Sequence, residues 1–163
     1  MEDKNQTFII REFKDGDEFG IHEAHMKSIR ELCAKDYSST QIESWTSRRT
    51  PQSYLDSIVK NGERFRVIET KEIIVGFSGW YGDQIKGFYL HPAYVGRGWG
   101  RELFKVTEED FLKNSGFRYC VIESTTTAKP FYECMGFQVV KPFKHIFSDG
   151  ITMDAWEMRK QYI

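Results

Sequence analysis

Three alternate glycines follow a short apolar segment and open an amphipathic helical pattern in FYLHPAYVGRGWGRELF, residues 88–104. Gly96, Gly98 and Gly100 can adopt backbone conformations that are closed to other residues. Successive N–H groups of such a loop can converge on one anion, and the positive end of the following helix favours the same place. The segment therefore predicts a phosphate-binding loop between a strand and a helix.

The glycine spacing excludes two common phosphate-binding loops. A dinucleotide fingerprint requires glycine at the third position after Gly98, where this chain has Arg101. A P-loop requires Gly-Lys followed by Ser or Thr, which the segment lacks. The loop instead resembles the acyl-CoA loop of the GNAT superfamily of N-acetyltransferases, whose pattern Gln/Arg-x-x-Gly-x-Gly/Ala falls on Val95, Gly98 and Gly100.

Val95 departs from this pattern, because its side chain cannot make the polar contact that Gln or Arg would make. The resemblance then implies that backbone N–H groups of residues 96–101, including that of Trp99, hold the pyrophosphate of the cofactor. The side chains of Arg97 and Arg101 are expected to supplement these groups.

A second segment, STTTAKPFYECMGF at residues 124–137, resembles the other GNAT signature, Asn-x-x-Ala-x-x-Phe-Tyr-x-x-x-Gly-Phe. Thr125 replaces the Asn and is included among the expected cofactor-binding residues. The two segments have the family's order and about its separation, and the resemblance covers roughly residues 8–160. The matching positions are Ala128, Phe131, Tyr132, Gly136 and Phe137.

The composition agrees with one enzyme domain. The chain has 163 residues, of which 40% are hydrophobic and 15% aromatic, which is ample for a core. We expect a short N-terminal tail at residues 1–7 and a single N-acetyltransferase domain at residues 8–163. A formal net charge of −1, without blocks of like charge, does not favour a nucleic-acid partner.

The cysteines and the N-terminal sequence bear on location. Cys33, Cys120 and Cys134 are odd in number and far apart, and no CxxC pair or His/Cys cluster indicates zinc. The sequence MEDKNQTF is not a basic segment followed by an apolar one, and no apolar run approaches the roughly 20 residues that span a bilayer. We therefore expect reduced thiols, no metal, no membrane insertion and a cytoplasmic location.

Hydrophobic periodicity and turn signals predict an α/β layered architecture with a mixed sheet. An Asp-x-x-Glu spacing that begins at Asp15 is expected to cap the first helix. The predicted strands are residues 8–13, 64–70, 73–81, 85–90, 118–123, 137–146 and 151–158. The predicted helices run from about residue 15 to 35, and over 39–48, 51–60, 98–114 and 127–135.

The resemblance implies the same order, as a GNAT-type mixed, mostly antiparallel twisted sheet of about seven strands with about four to five helices. In that fold the fourth and fifth strands splay apart and hold acyl-CoA between them. These strands are residues 85–90 and 118–123 in this chain. Backbone groups near Tyr89 and Leu90 would then meet the acetyl group, and an N–H there could stabilise the developing oxyanion.

Attack of a neutral amine on a thioester requires removal of an amine proton and delivery of a proton to the departing thiolate. The resemblance implies that Tyr132 protonates the thiolate. Glu123 is the first candidate for the base, because it ends an apolar strand immediately before the second motif. His22, His25, His91 and a water relay are the alternatives.

Acceptor preference is expected to depend on residues 36–54, which combine aromatic and arginine side chains. Tyr37, Trp45 and Tyr54 could form the wall of an apolar or planar substrate site, with His25 from the first helix. Arg48 and Arg49 could hold a carboxylate. Each of these side chains could instead belong to the core or to a solvated face.

The resemblance implies an acetyl-CoA-dependent N-acetyltransferase that moves an acetyl group directly to a primary amine of a small molecule in a ternary complex. A protein lysine or N-terminus is an alternative acceptor. A non-catalytic acyl-CoA sensor is a further alternative, because Val95 and Thr125 depart from the family pattern. A homodimer is compatible with the resemblance, although the sequence shows no interface signal.

Overall fold

The chain forms a seven-stranded mixed sheet with helices packed against both faces, in a computed structural model that describes residues 6–163. Residues 1–5 of the predicted tail lie outside the described part. The strands are β1 (Ile9–Glu12), β2 (Arg64–Thr70), β3 (Ile73–Tyr81), β4 (Gln84–Leu90), β5 (Tyr119–Thr125), β6 (Gln138–Ile146) and β7 (Thr152–Gln161). The helices are α1 (Asp17–Leu32), α2 (Ser39–Thr46), α3 (Pro51–Asn61), α4 (Trp99–Asn114) and α5 (Lys129–Cys134).

The predicted order of elements is confirmed, and each predicted boundary lies within three residues of the observed one. The expected cap of α1 is wrong. Gly16, with φ of +102°, is the cap residue instead of Asp15, and no side chain caps that helix end. The Glu18 carboxylate accepts a hydrogen bond from the Gly16 N–H at 2.8 Å. None of the helices in residues 6–163 is long and apolar enough to span a membrane.

The sheet order is β1-β2-β3-β4-β5-β7-β6, and β4 and β5 are the parallel neighbours. These two strands pair at only two positions, residues 84–85 of β4 with residues 121–122 of β5. The antiparallel neighbours pair over much longer stretches. A gap therefore opens between β4 and β5 beyond residue 85, at the point where the sequence predicts a splay.

A β-bulge marks the place where β4 leaves β5. Gly79 of β3 pairs with Gly87 of β4, and the next residue, Trp80, pairs with Ile85. Lys86 is consequently an extra residue in β4. Because a bulge bends its strand and increases the local twist, it turns the rest of β4 away from β5.

Apolar stripes place the helices on the sheet. Ile21 of α1 and Tyr54 of α3 pack with Phe65, Val67 and Phe77 on one face. The apolar side of the amphipathic helix α4 is buried on the other face. Leu103, Phe104, Thr107 and Phe111, at helical spacing, are all at most 1% exposed there.

A buried carboxylate joins α4 to the neighbouring strands. Asp110 is 8% exposed, and it accepts hydrogen bonds from Trp80 Nε1 at 2.8 Å, Arg66 at 3.0 Å and Arg64 at 3.1 Å. Burial by itself would raise the pKa of Asp110, but the Trp80 and Arg66 hydrogen bonds and the two arginine charges hold the pKa below its ordinary value. These bonds fix how α4 sits on β2 and β3.

Asp110→Ala should lower the free energy of unfolding by about 3 kcal/mol, because it leaves buried donors and partly buried charge without a partner. Urea unfolding at pH 7 measures this loss. Asp56→Ala is the control, since Asp56 forms an exposed pair with Lys60. The lowered pKa of Asp110 stabilises the fold above its unfolded-state pKa of about 4, and the difference between wild type and variant should shrink below that pH. Equal losses in both variants would contradict this account.

Candidate active site

Along β4, the backbone N–H and C=O groups of successive residues point alternately toward β3 and into the gap. The His91 N–H donates to the Val75 carbonyl of β3 at 2.7 Å. Because successive residues of a strand direct their N–H and C=O groups to opposite sides, the N–H of Leu90 points into the gap and that of Tyr89 toward β3. Of the two residues expected near the acetyl group, Leu90 thus presents its N–H to the gap, whereas the ring of Tyr89 lies 3.9 Å from that of His25 on the α1 side.

A groove of about 420 Å³ lies between β4, the end of α1, the glycine loop and the start of α5. Ser28, Leu32 and Cys33 of the α1 end contribute to its wall. The groove brings together eight of the ten residues predicted to bind the cofactor, although they come from four different segments. These eight are Tyr89, Leu90, Val95, Gly96, Gly98, Gly100, Arg101 and Thr125.

Two of the three glycines, Gly96 and Gly98, have the backbone conformation that the spacing predicts, whereas Gly100 lies in the first turn of α4. Gly96 has φ of +76° and Gly98 has φ of +83°, values at which any other residue is strained. A Cβ at either position would meet no atom within 4 Å, so the space beside the loop is open. The first N–H groups of α4 have no acceptor within the helix. The loop and helix start are therefore suited to an anion at the end of the groove.

Arg97 and Trp99 are the two predicted cofactor residues that do not line the groove. The Arg97 guanidinium donates to the Gln6 side chain at 3.0 Å and lies over the Tyr94 ring at 5.3 Å. Trp99 is 6% exposed and packs against Phe8 and Tyr94. Contrary to the expectation for Arg97, its exposed side chain lies against Gln6 and Tyr94 rather than on the groove wall.

A small cavity, which we call the neck, lies in the gap between β4 and β5. Its volume is about 30 Å³. Tyr89 and Thr125 line both the neck and the groove, whereas Lys86 and Glu123 line the neck and a second large cavity. Tyr132 also lines the neck. The structure therefore brings the two predicted catalytic side chains, Tyr132 and Glu123, to one small space.

Tyr132 is held by the aromatic core and is 5% exposed. Its ring lies within 6.3 Å of the rings of Phe88, Phe104, Phe131 and Phe137. Burial, with smaller effects from neighbouring side chains, raises the pKa of Tyr132 far above its ordinary value. The phenol is therefore protonated at neutral pH and can act as a proton donor in the neck.

Beyond the neck lies the outer cavity, which has a volume of about 420 Å³. Trp45 lines it as predicted, together with Arg48 and Arg49 from the turn after α2. The β6–β7 hairpin supplies a wall that the sequence analysis did not anticipate. The hairpin residues on this wall are Phe143, His145, Phe147, Ser148, Met153 and Ala155.

An inner cavity of about 260 Å³ adjoins the outer one and shares Trp45, Arg49 and Lys86 with it. His25, which is 4% exposed, lies on its wall. His25 Nδ1 is hydrogen-bonded to Tyr54 Oη at 2.9 Å, while Nε2 is buried without a partner in the described part of the chain. Burial, followed by the charge of Arg49, keeps the pKa of His25 well below its ordinary value, so the ring is neutral.

Tyr37 does not line the groove, the neck, the outer cavity or the inner cavity. It is 6% exposed, and its hydroxyl donates to the Asp154 carbonyl and accepts from the Thr126 N–H, both at 2.7 Å. The expected acceptor contact is therefore corrected. Tyr37 instead ties the segment after α1 to β7 and to the turn before α5.

The structure also shows where the other candidates for the base lie. His22 donates to the Arg49 carbonyl at 3.0 Å, and His91 Nδ1 accepts from the Ala93 N–H at 3.1 Å, so both rings stabilise turns. The sequence analysis missed Glu63, which lies on the inner cavity. Burial raises the pKa of Glu63 above its ordinary value, against the opposing effects of Lys86 and of Ser57 and Arg49. Nothing in the local sequence distinguishes this carboxylate from an exposed one.

Two comparisons relate the chain to known sequences. The family model described as an acetyltransferase (GNAT) domain matches residues 33–160. The uncharacterized N-acetyltransferase YafP of Escherichia coli (strain K12) is 25% identical over 134 residues, which are 81% of this chain and 82% of YafP.

Solved structures have the same fold. A GCN5-related N-acetyltransferase structure from Rhodopseudomonas palustris aligns with a TM-score of 0.86 and 24% identity, over 95% of this chain and 96% of that one. The PaiA N-acetyltransferase of Thermoplasma acidophilum, in complex with coenzyme A, aligns with a TM-score of 0.75 and 21% identity, over 96% and 99% of the two chains. With the sequence match extending over most of the chain, the protein belongs to the GNAT acetyltransferase family.

Proposed function

We propose that the protein transfers an acetyl group from acetyl-CoA directly to a primary amine of a small molecule in a ternary complex. The observation that carries this proposal is the neck, which joins a groove suited to acyl-CoA to a separate cavity suited to an acceptor. A ternary complex requires such an opening, because the amine must reach the thioester while both ligands are bound.

The groove fits acetyl-CoA in chemistry as well as in position. We assign it the ligand held by the similar PaiA enzyme, coenzyme A. The glycine loop and the first turn of α4 would hold the pyrophosphate, with Arg101 beside them. The unpaired backbone groups of β4 other than the Leu90 N–H would bind the pantetheine amides in the gap.

Residues of the neck and of the adjoining groove would each carry out one part of the reaction. As the amine nitrogen bonds to the carbonyl carbon, the Leu90 N–H would stabilise the negative charge on the carbonyl oxygen. Glu123, directly or through a water, would accept the amine proton. When the C–S bond breaks, the Tyr132 hydroxyl would give its proton to the thiolate. The burial that raises the pKa of Tyr132 also raises that of a thiol formed in the same space, which keeps proton transfer between them accessible.

The walls of the outer cavity favour a small acceptor over a protein chain. The Arg48 guanidinium donates to the Ser148 hydroxyl, and the Ser44 hydroxyl donates to the Asp149 carboxylate at 2.6 Å. These bonds connect the α2 region to the β6–β7 turn across the cavity. A peptide acceptor needs an open channel, whereas this connection narrows the space next to the neck.

Tyr132→Phe should lower kcat by about 100-fold or more and leave the Kd for acetyl-CoA nearly unchanged, because it removes a proton donor and keeps the packing. Steady-state turnover and calorimetry measure the two quantities. Tyr162→Phe is the matched control, since Tyr162 packs against the same core but its hydroxyl donates to Glu108. Unchanged kcat of the Tyr132 variant at saturating acetyl-CoA would rule out its role as the acid.

Gly98→Asp should weaken CoA binding by at least about tenfold, because it adds a negative charge beside the phosphates at a position with positive φ. Gly116→Asp is the control for backbone strain, since Gly116 has φ of +79° just beyond the other end of α4. Calorimetry should show a lower affinity for the first variant alone. Equal affinities for the two variants would indicate that the loop does not bind the phosphates of CoA.

Glu123→Gln should reduce kcat by about 100-fold, because a neutral amide cannot accept the amine proton. Glu63→Gln is the matched comparison, since Glu63 lines the inner cavity and is not on the neck. A larger loss of kcat in the Glu63 variant would indicate that Glu63, and not Glu123, is the base.

A further inference from the structure

The outer cavity has an excess of positive charge. Arg48, Arg49 and Lys86 line it, together with His145. Within residues 6–163, Glu123 is the one carboxylate on its wall. The chain as a whole has nearly balanced charge, with 23 basic Lys and Arg residues against 24 acidic ones. The imbalance is therefore a local property of this cavity.

The three cations have no carboxylate partners. In the described part of the chain, no carboxylate oxygen lies within 4.0 Å of the charged nitrogens of Arg48, Arg49 or Lys86, whereas Arg11 and Arg66 each form two such pairs. Arg48 donates to the neutral Ser148 hydroxyl, and Arg49 lies over the Tyr54 ring at 5.8 Å. Most of their N–H donors remain available to a ligand.

Two further acidic groups, Asp149 and Glu63, lie near the cations but not on the wall of the outer cavity. Asp149 accepts hydrogen bonds from the Ser44 hydroxyl and the Ile151 N–H, and the charge of Arg48 acts on it without forming an ion pair. Glu63 lines the inner cavity, where the charges of Lys86 and Arg49 act on it without forming an ion pair. Neither carboxylate forms an ion pair with the guanidinium groups on the outer wall.

The basic residues are distributed along the path from the neck outward. Lys86 lines the neck, the outer cavity and the inner cavity, and Arg49 lines the outer and inner cavities. Arg48 and His145 line the outer cavity alone. The arginine backbone is also fixed, because His22 donates to the Arg49 carbonyl. An acceptor whose amine is at the neck therefore extends its other end toward Arg48 and Arg49.

We propose that the acceptor amine bears an anionic group, a carboxylate or a phosphate, and that Arg48 and Arg49 bind this group. The inference rests on the proposed function and adds the chemical class of its acceptor. Guanidinium groups bind such anions through paired N–H donors. Repulsion by the same cations disfavours polyamines and other polycationic acceptors. Lys86 adds to the effect at the neck, since a nearby cation lowers the pKa of an ammonium and increases the fraction of free amine.

The test uses matched amines that differ only in the anionic group. Tyrosine is compared with tyramine, ornithine with putrescine, and O-phosphoethanolamine with ethanolamine, and release of CoA thiol from acetyl-CoA gives kcat/KM for each. At least one acid-bearing member should exceed its partner by about tenfold or more, the size of one charge-assisted hydrogen bond. The carboxylate and phosphate pairs distinguish the two kinds of anion. Equal or better activity with the amine lacking the acid, in every pair, would overturn the inference and leave the acetyltransferase function intact.

Arg48→Gln and Arg49→Gln identify the binding groups. Each should raise KM for the preferred acid-bearing amine and bring the ratio of kcat/KM within its pair toward one. Arg30→Gln is the control, because it removes an exposed positive charge from α1 outside all the described cavities, and it should leave that ratio unchanged. A ratio unaffected by either cavity variant would overturn the assignment.

If no amine releases CoA, the proposed function fails by that result alone. Calorimetric titration of the CoA-loaded protein with the same pairs then tests the anion preference independently of turnover. Tighter binding of the acid-bearing members, lost in Arg49→Gln, would support the inference. Equal binding within every pair would overturn it.

Discussion

The separation of β4 from β5 is the constraint on which the rest of the structure depends. The two strands pair at two positions and then part at the Lys86 bulge, so the middle of the sheet contains a gap. The groove, the neck and the outer cavity all lie along it, and Tyr89 and Thr125 form its facing sides in all three. Without the bulge, continued pairing would close the passage between the two large cavities.

A sheet opened in its centre leaves backbone groups without partners, which is costly unless water or a ligand satisfies them. Packing and hydrogen bonds elsewhere in the molecule offset this cost. The aromatic core around Tyr132 and Phe104 fixes α4 and α5 on one face, and Asp110 joins α4 to β2 and β3. On the other face, His25 and Tyr54 pack beneath Tyr89. The two faces of the sheet beside the gap are thus held by separate clusters.

Local sequence predicted the elements and the glycine loop well, because periodicity and positive-φ glycines are encoded within a few residues. The motif around Tyr132 predicted a side chain that does line the neck. The orientations of side chains and the long-range contacts were harder to predict from the sequence. Arg97 turns toward Gln6, and Tyr37 hydrogen-bonds to backbone groups more than 85 residues away in sequence. The β6–β7 wall and Glu63 join the cavities only through tertiary packing, which no local pattern specifies.

Amide hydrogen exchange with and without acetyl-CoA tests the central claim most directly, namely that the cofactor binds in the gap as an additional strand. The account predicts new protection at the Leu90 amide and in residues 96–101 when acetyl-CoA binds. It predicts no such gain at the β6 edge of the sheet. Saturating acetyl-CoA that leaves exchange at Leu90 unchanged would contradict the account, since the unpaired backbone of β4 would then have no part in holding the cofactor.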